Sequence, residues 1–151
     1  MKTAPNKAPR VVLLLWLFVL PLAAQTGKFY STKNELSSRL INQIFQDKRG
    51  FIWIATEYGL NRFDGLRFSN YKHVSGDSTS IKNNYVRTLF EDSRQNLLVG
   101  CIDGLMKYDS ETDTFREIPM IRAGKRVFPH ITQMQKLHNG EIWVVTTGQG
   151  I

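Results

Sequence analysis

The sequence repeats itself, and the repeat limits the fold more than any other feature. Residues 45–64 align without a gap on residues 90–109, so that Asp47 meets Asp92 and Gly59 meets Gly104 at a constant step of 45 residues. The same step carries Ile41 to Val86 to Ile131, Trp53 to Leu98 to Trp143, and Thr56 to Cys101 to Thr146. A third copy begins near Phe128. Within each copy the local signals are β. Short apolar, β-favouring runs at 41–45 and 86–90 lead into turns at Asp47, Asp92 and His138. Asp and Asn suit such turns because their side chains bond nearby backbone N–H groups, and Gly suits them because it takes positive φ. The next runs, at 51–55, 97–100 and 142–145, are apolar on both faces and so belong in the middle of a packed sheet. A turn with Gly59 or Gly104 then precedes a third run at 60–63 or 105–108, and a fourth carries Phe68 and Tyr71, or Phe115 and Ile118.

Four short antiparallel strands in a repeat of about 40–45 residues make a β-propeller blade. A helical repeat of this length is excluded because turn residues recur too often to leave room for two ordinary helices. The expected fold class is therefore all-β: two blades plus part of a third, at 36–79, 80–127 and 128–151, after a lead-in at 25–35. A blade has two apolar faces and cannot bury both alone. In an open arc the outward face of the first blade is expected to lie uncovered, with Phe45, Ile52 and Trp53 near it, and Trp143 in an unfinished blade. A chain holding only these blades is expected not to be a stable monomeric domain, as a fragment of a longer protein would be.

Residues 1–24 stand apart. Lys2, Lys7 and Arg10 precede an uncharged apolar stretch at 11–22, and Ala23 and Ala24 precede polar Gln25. That order predicts a secretory signal peptide cleaved after Ala24, since the apolar stretch is too short for a spanning helix of roughly 20 residues. Three of the 20 basic residues lie in this leader, leaving 17 against 13 acidic ones. The remaining charges are scattered, with no basic run longer than Lys125-Arg126, so no nucleic-acid footprint is expected. The single cysteine, Cys101, has no internal partner and reads as a small core residue.

Three segments carry a family resemblance: 42–47 (NQIFQD), 50–56 (GFIWIAT) and 59–65 (GLNRFDG). They closely resemble two-component regulator propeller repeats. The second copy departs from that pattern at Gln95 and Asn96, where Gly is preferred, and at Leu98, where Trp is preferred. The third matches through 140–144 (GEIWV). The resemblance implies the periplasmic sensor region of a hybrid two-component histidine kinase, often glycan-responsive, with the full-length relative anchored in the inner membrane. It also implies downstream blades and a kinase as partners of this segment, and a homodimer in the full-length protein.

Chemistry-bearing residues are few. The Asp47 and Asp92 turns offer too poor a ligand set for calcium and read as structural. His73, His130 and His138 have no zinc spacing, so no metal site is expected. Trp53 and Trp143 sit among β-branched neighbours and read as core, not as sugar platforms. No nucleophile elbow, phosphate loop or metalloprotease motif is present, so neither catalytic residues nor a cofactor are expected. In an up-and-down blade, the turn after the second strand shares a face with the link from the preceding blade. That face carries Arg39, Glu57, Tyr58, Asn84 and Asp103, the candidate ligand-binding residues. Polar and aromatic groups around one mouth suit an oligosaccharide. Two other readings stand beside this one. The first is a propeller-fold lyase resembling the streptogramin lyases, with His130 its only candidate. The second is a secreted carbohydrate-binding or adhesion propeller.

Overall fold

A computed structural model describes residues 27–31, 33 and 35–148. The expected signal peptide at 1–24 lies outside the described residues. Twelve strands are present and no α-helix occurs among the described residues. The first sheet holds β1 (Ile41–Gln46), β2 (Ile52–Thr56), β3 (Gly59–Phe63) and β4 (Phe68–Tyr71) in the order β1-β2-β3-β4. The second repeats it with β5 (Val86–Glu91), β6 (Leu97–Cys101), β7 (Gly104–Asp109) and β8 (Thr114–Ile118). A hairpin of β9 (Met120–Arg122) and β10 (Lys125–Val127) follows, and then the pair β11 (His130–Lys136) and β12 (Ile142–Thr147). All neighbours are antiparallel. This is the all-β blade architecture expected from the repeat.

The likeness of the copies extends to their irregularities. Each innermost strand shifts register at the same place, between Ile41 and Gln43, Val86 and Thr88, and Ile131 and Gln133. A bulge bends and twists its strand, so every copy turns its first strand alike. The β1–β2 turn is closed by the buried Asp47 carboxylate, which accepts from the Arg49 and Phe51 N–H groups at 3.0 Å and from the Trp53 indole at 2.9 Å. Asp92 holds the second turn the same way, through the Arg94 and Asn96 N–H groups at 2.8 Å. With no indole at Leu98, its other oxygen takes the Asn96 side-chain amide at 2.7 Å. Gly50 and Gly140 have φ of 90° and 91° in these turns, and Gln95 holds the same left-handed place at 64° without being glycine.

Two cores lie between sheets. Trp53, Leu60, Val86, Leu89, Val99, Met106, Tyr108 and Phe115 fill the first junction. Leu98, Leu105, Ile131 and Met134 fill the second. The second is tight at Gly100, where a Cβ would meet the Thr88 and Ile131 methyls at 2.7 and 2.8 Å. Side chains alternate across a strand. Phe45, Trp53 and Ala55 therefore face the second sheet, while Ile44, Ile52 and Ile54 face outward.

This corrects three expectations. Trp53 is buried, as a core residue should be, but it and Phe45 face the second sheet and not the outward side: Trp53 lies edge-on to Tyr108 at 4.8 Å and stacks on Tyr71 at 5.8 Å. Nor is the outward face bare. Tyr30 of the lead-in and Leu36 and Ser37 at the start of the first blade cover its outer half: Leu36 is buried, Tyr30 packs on Phe63 and Phe68, and the Ser37 N–H donates to Asn61 Oδ1 at 2.9 Å. Ile44, on the inner strand beyond the reach of that cover, stays 61% exposed. Trp143 is 43% exposed, against the expectation of a core residue. It takes the side of β12 that points away from the second sheet, and no described sheet packs there.

Candidate functional site

The five candidate residues divide between a connected network and its margin. Glu57 and Tyr58 form the β2–β3 turn, Asn84 lies in the link from β4 to β5, and Asp103 lies in the β6–β7 turn. The Tyr85 hydroxyl donates to Glu57 Oε1 at 2.7 Å, and the Gly59 N–H donates to the Asn84 carbonyl at 2.7 Å. Asn84 Oδ1 in turn accepts from the His73 N–H at 2.8 Å. Asn83 continues the chain by donating to Asp103 Oδ2 at 3.2 Å, and the Ile102 N–H donates to the Tyr85 carbonyl at 3.3 Å. The Glu57 N–H reaches back to the Leu40 carbonyl at 3.1 Å, which leaves exposed Arg39 at the edge. Glu57, Tyr58, Asn84 and Asp103 thus share one face, as the blade topology requires.

Tyr58 is the flat surface of this face. Its ring is 57% exposed, with the Lys72 ammonium 4.4 Å from its centroid. Beneath it the chemistry is closed. Cys101 is fully buried and its thiol donates to the Asn83 carbonyl at 3.7 Å. Burial, and then the Asp103 charge, push that thiol up to about 12. Asp103 Oδ1 and His130 Nε2 are buried without a hydrogen-bond partner. Among the described residues no three His, Cys, Asp or Glu side chains come together as a metal site. The Asp47 carboxylate, already saturated by two N–H groups and an indole, closes a turn rather than offering itself to calcium.

Several residues that matter here carry no sequence signal of their own. Lys72 and Tyr85 sit in a link without periodicity, and only their neighbours in space give them a role. On the outer side of the same link a cavity of about 730 Å³ is lined by His73, Asp77, Lys82, Phe115 and Glu117. Lys82 pairs with Glu117, which also takes Arg126 at 2.6 Å. The largest omission is the clasp around Arg62. Its guanidinium lies 5.1 Å from the Phe51 ring and 5.7 Å from both Trp53 and Tyr71. It bonds the Tyr108 hydroxyl and, at 3.0 Å, Asp113 Oδ1. Tyr71 donates to the same oxygen at 2.7 Å, as does Tyr108. Burial works against the Asp113 carboxylate, but donation from Tyr108 and Tyr71 and the Arg62 charge outweigh it and hold it below the usual range. The clasp joins the outer strands of the two sheets.

These features define a class: an arc of β-propeller blades with a polar, aromatic loop face. Comparison narrows this class. Residues 35–58 match the model of the two-component regulator propeller. It is 38% identical over 74 residues to histidine kinase P4 of Formosa agariphila, which covers 46% of this chain and 5% of the relative. The extracellular domain of a hybrid two-component system from B. thetaiotaomicron superposes with a TM-score of 0.68 at 29% identity, over 79% of this chain and 17% of that one. A second extracellular domain from the same organism, of a one-component system, gives 0.61 at 20% identity over 71% and 15%, a likeness of fold. The chain thus spans a small part of each of these relatives. Among the described residues no helix is long and apolar enough to cross a membrane.

Proposed function

We propose that this chain is the propeller portion of an exported sensor. It binds a glycan on the face of Glu57, Tyr58, Asn84 and Asp103 and reports occupancy to a histidine kinase elsewhere in the full-length protein. The observation that carries the reading is Tyr58: an exposed ring rimmed by hydrogen-bonding groups from two blades. A sugar needs that combination, a flat apolar surface for its C–H face and donors and acceptors for its hydroxyls. The likeness to the extracellular domain of a hybrid two-component system supports the sensing role, and the histidine kinase relative supports a downstream kinase. Export to the periplasm rests on the leader, and cleavage after Ala24 makes Gln25 the first residue of the exported protein. Homodimerisation belongs to the full-length protein, where it would pair two kinases.

The test is a panel of oligosaccharides titrated calorimetrically against the chain and against Tyr58→Ala. Loss of the stacking ring is expected to weaken glycan binding about tenfold, a fair return for about 1.4 kcal/mol of aromatic contact. The urea midpoint should not move, because Tyr58 is exposed. Unchanged affinity for a bound glycan would remove Tyr58 from the site and the reading with it.

A further inference from the structure

The link from β4 to β5 has no strand, yet it is a built structure. The His73 N–H donates to Asn84 Oδ1 at 2.8 Å and so ties the two ends of the link together. Within it the Val74 N–H donates to Ser80 Oγ at 3.0 Å, and Asp77 Oδ1 accepts the N–H and the hydroxyl of Thr79 at 2.8 and 2.6 Å. A loop closed at its ends and bonded through its own side chains is a compact wall rather than a loose strap. It stands against the outer edge of the second sheet, where the Phe115 N–H of β8 donates to the Thr79 carbonyl at 2.8 Å and Lys82 pairs with Glu117. Between wall and sheet lies the cavity of about 730 Å³, and buried Ile81, Met106 and Phe115 make its floor. The corresponding link of the next copy folds as the β9–β10 hairpin, so this cavity is no part of the repeated scaffold.

The charges of the cavity are ordered along it. Thr79 meets Phe115 and Lys82 meets Glu117, so the link runs parallel to β8, with Lys82 at one end of the cavity and Asp77 at the other. At the Lys82 end, Glu117 also holds Arg126 at 2.6 Å. Arg116, which lines the cavity too, is engaged by Asp109 at 3.1 Å. Two cations thus share the Glu117 carboxylate, and Lys82 can turn to another anion while Glu117 keeps Arg126. We infer that this cavity is a second ligand site, for an amphipathic monocarboxylate whose apolar body lies on Ile81, Met106 and Phe115 and whose head pairs with Lys82. Pre-formed walls, an apolar floor and a single placed cation are what such a ligand needs. The site shares no lining residue with the face of Glu57, Tyr58, Asn84 and Asp103 and does not rest on the glycan reading. A free α-amino acid fits less well, because its ammonium lies beside its carboxylate and so next to Lys82, while Asp77 is at the far end.

The experiment titrates the full chain, by calorimetry and by amide chemical shifts, with 3-phenylpropanoate, hexanoate, 3-phenylpropan-1-ol, 3-phenylpropylamine and phenylalanine. The variants are Lys82→Gln, Lys82→Arg and, as a charge control on the first blade, Arg67→Gln, with circular dichroism to verify that each is folded. At least one carboxylate should bind about tenfold more tightly than the alcohol, the equivalent of one charge-assisted hydrogen bond. Its amide shifts should gather at 77–82 and 112–117. The advantage should vanish in Lys82→Gln and persist in Lys82→Arg and Arg67→Gln. If Lys82→Gln does not fold, the shifts of the parent chain decide, and shifts gathered elsewhere overturn the site. The inference also fails if the alcohol or the amine binds as tightly as the acids, if the advantage survives Lys82→Gln, if phenylalanine binds most tightly, or if neither carboxylate binds. None of these results touches the glycan reading, which Tyr58→Ala tests by itself.

Discussion

Replacing Trp53 with alanine tests the blade junction at its centre. The side chain is wholly buried, lies edge-on to Tyr108 at 4.8 Å, stacks on Tyr71 at 5.8 Å and donates its indole N–H to Asp47 at 2.9 Å. Truncating a large core aromatic costs roughly 3–5 kcal/mol. Two aromatic contacts and the bond to a buried carboxylate put this site toward the upper end. Trp53→Phe separates the parts. It keeps most of the apolar volume and leaves Asp47 Oδ2 without its indole donor, while Oδ1 keeps both N–H groups. A hydrogen bond to a charged acceptor is worth about 1.5–3 kcal/mol, which is the loss expected for Phe. Trp143 is the internal control. It has the same place in its strand but is 43% exposed, so Trp143→Ala should cost about 1 kcal/mol or less. Against the usual 5–15 kcal/mol of a folded domain, Trp53→Ala alone removes a third or more. Urea titration followed by far-UV circular dichroism measures all three variants on one scale. A cost below about 1 kcal/mol for Trp53→Ala, or equal costs at Trp53 and Trp143, would refute the argument that burial sets the value.

Three further outcomes are expected. Gln95→Gly should raise the urea midpoint by the equivalent of about 1 kcal/mol, because it relieves a left-handed residue at φ 64°; a fall would show that the Gln95 side chain matters more than its backbone. Cys101, buried and with its thiol pushed up to about 12, should resist thiol reagents at pH 8 in the native chain and react fully in urea. Asp113 has a folded pKa below the ordinary 3.8, so its contribution is present above that value and is lost as pH falls through the lower folded one. Acid titration of Asp113→Asn should therefore show a shallower loss of stability below about pH 4 than the parent chain, and parallel curves would dismiss the carboxylate as a source of acid sensitivity.

The strands were legible because the repeat repeats its physics. Trp53 and Leu98 stand at one place in the alignment, and so do Gly50 and Gln95, so each copy reads the others. What the repeat could not convey was handedness. Which side of β2 meets the second sheet depends on the twist of the stacked sheets and not on the alternation of Ile52, Trp53 and Ile54, so the sequence marks Trp53 as core without saying which face of the sheet it packs on. The cover over the first sheet escaped because Tyr30 and Leu36 reach it from irregular backbone, which shows no period. β9 and β10 escaped because three residues each are too few to show a period. Of the loop face, the order of turns and links was enough to group Glu57, Tyr58, Asn84 and Asp103. Tyr85, Lys72 and the Arg62 clasp needed coordinates, since Arg62 and Asp113 lie 51 residues apart with nothing periodic between them.

The inner edges of the first two sheets are joined in an unusual manner. Gln43 on β1 donates from its amide to the Leu89 carbonyl at 3.1 Å and accepts the Leu89 N–H at 2.7 Å, and Asn42 donates to the Val86 carbonyl at 2.7 Å. Side-chain amides here imitate the backbone of a neighbouring strand. Bonds of this kind tolerate little rotation or sliding, since both partners must stay aligned. Dispersion contacts such as those of Leu98 with Ile131 have no such directionality. The first two sheets are accordingly locked in register, and a torque applied at the loop face turns them as a single lever.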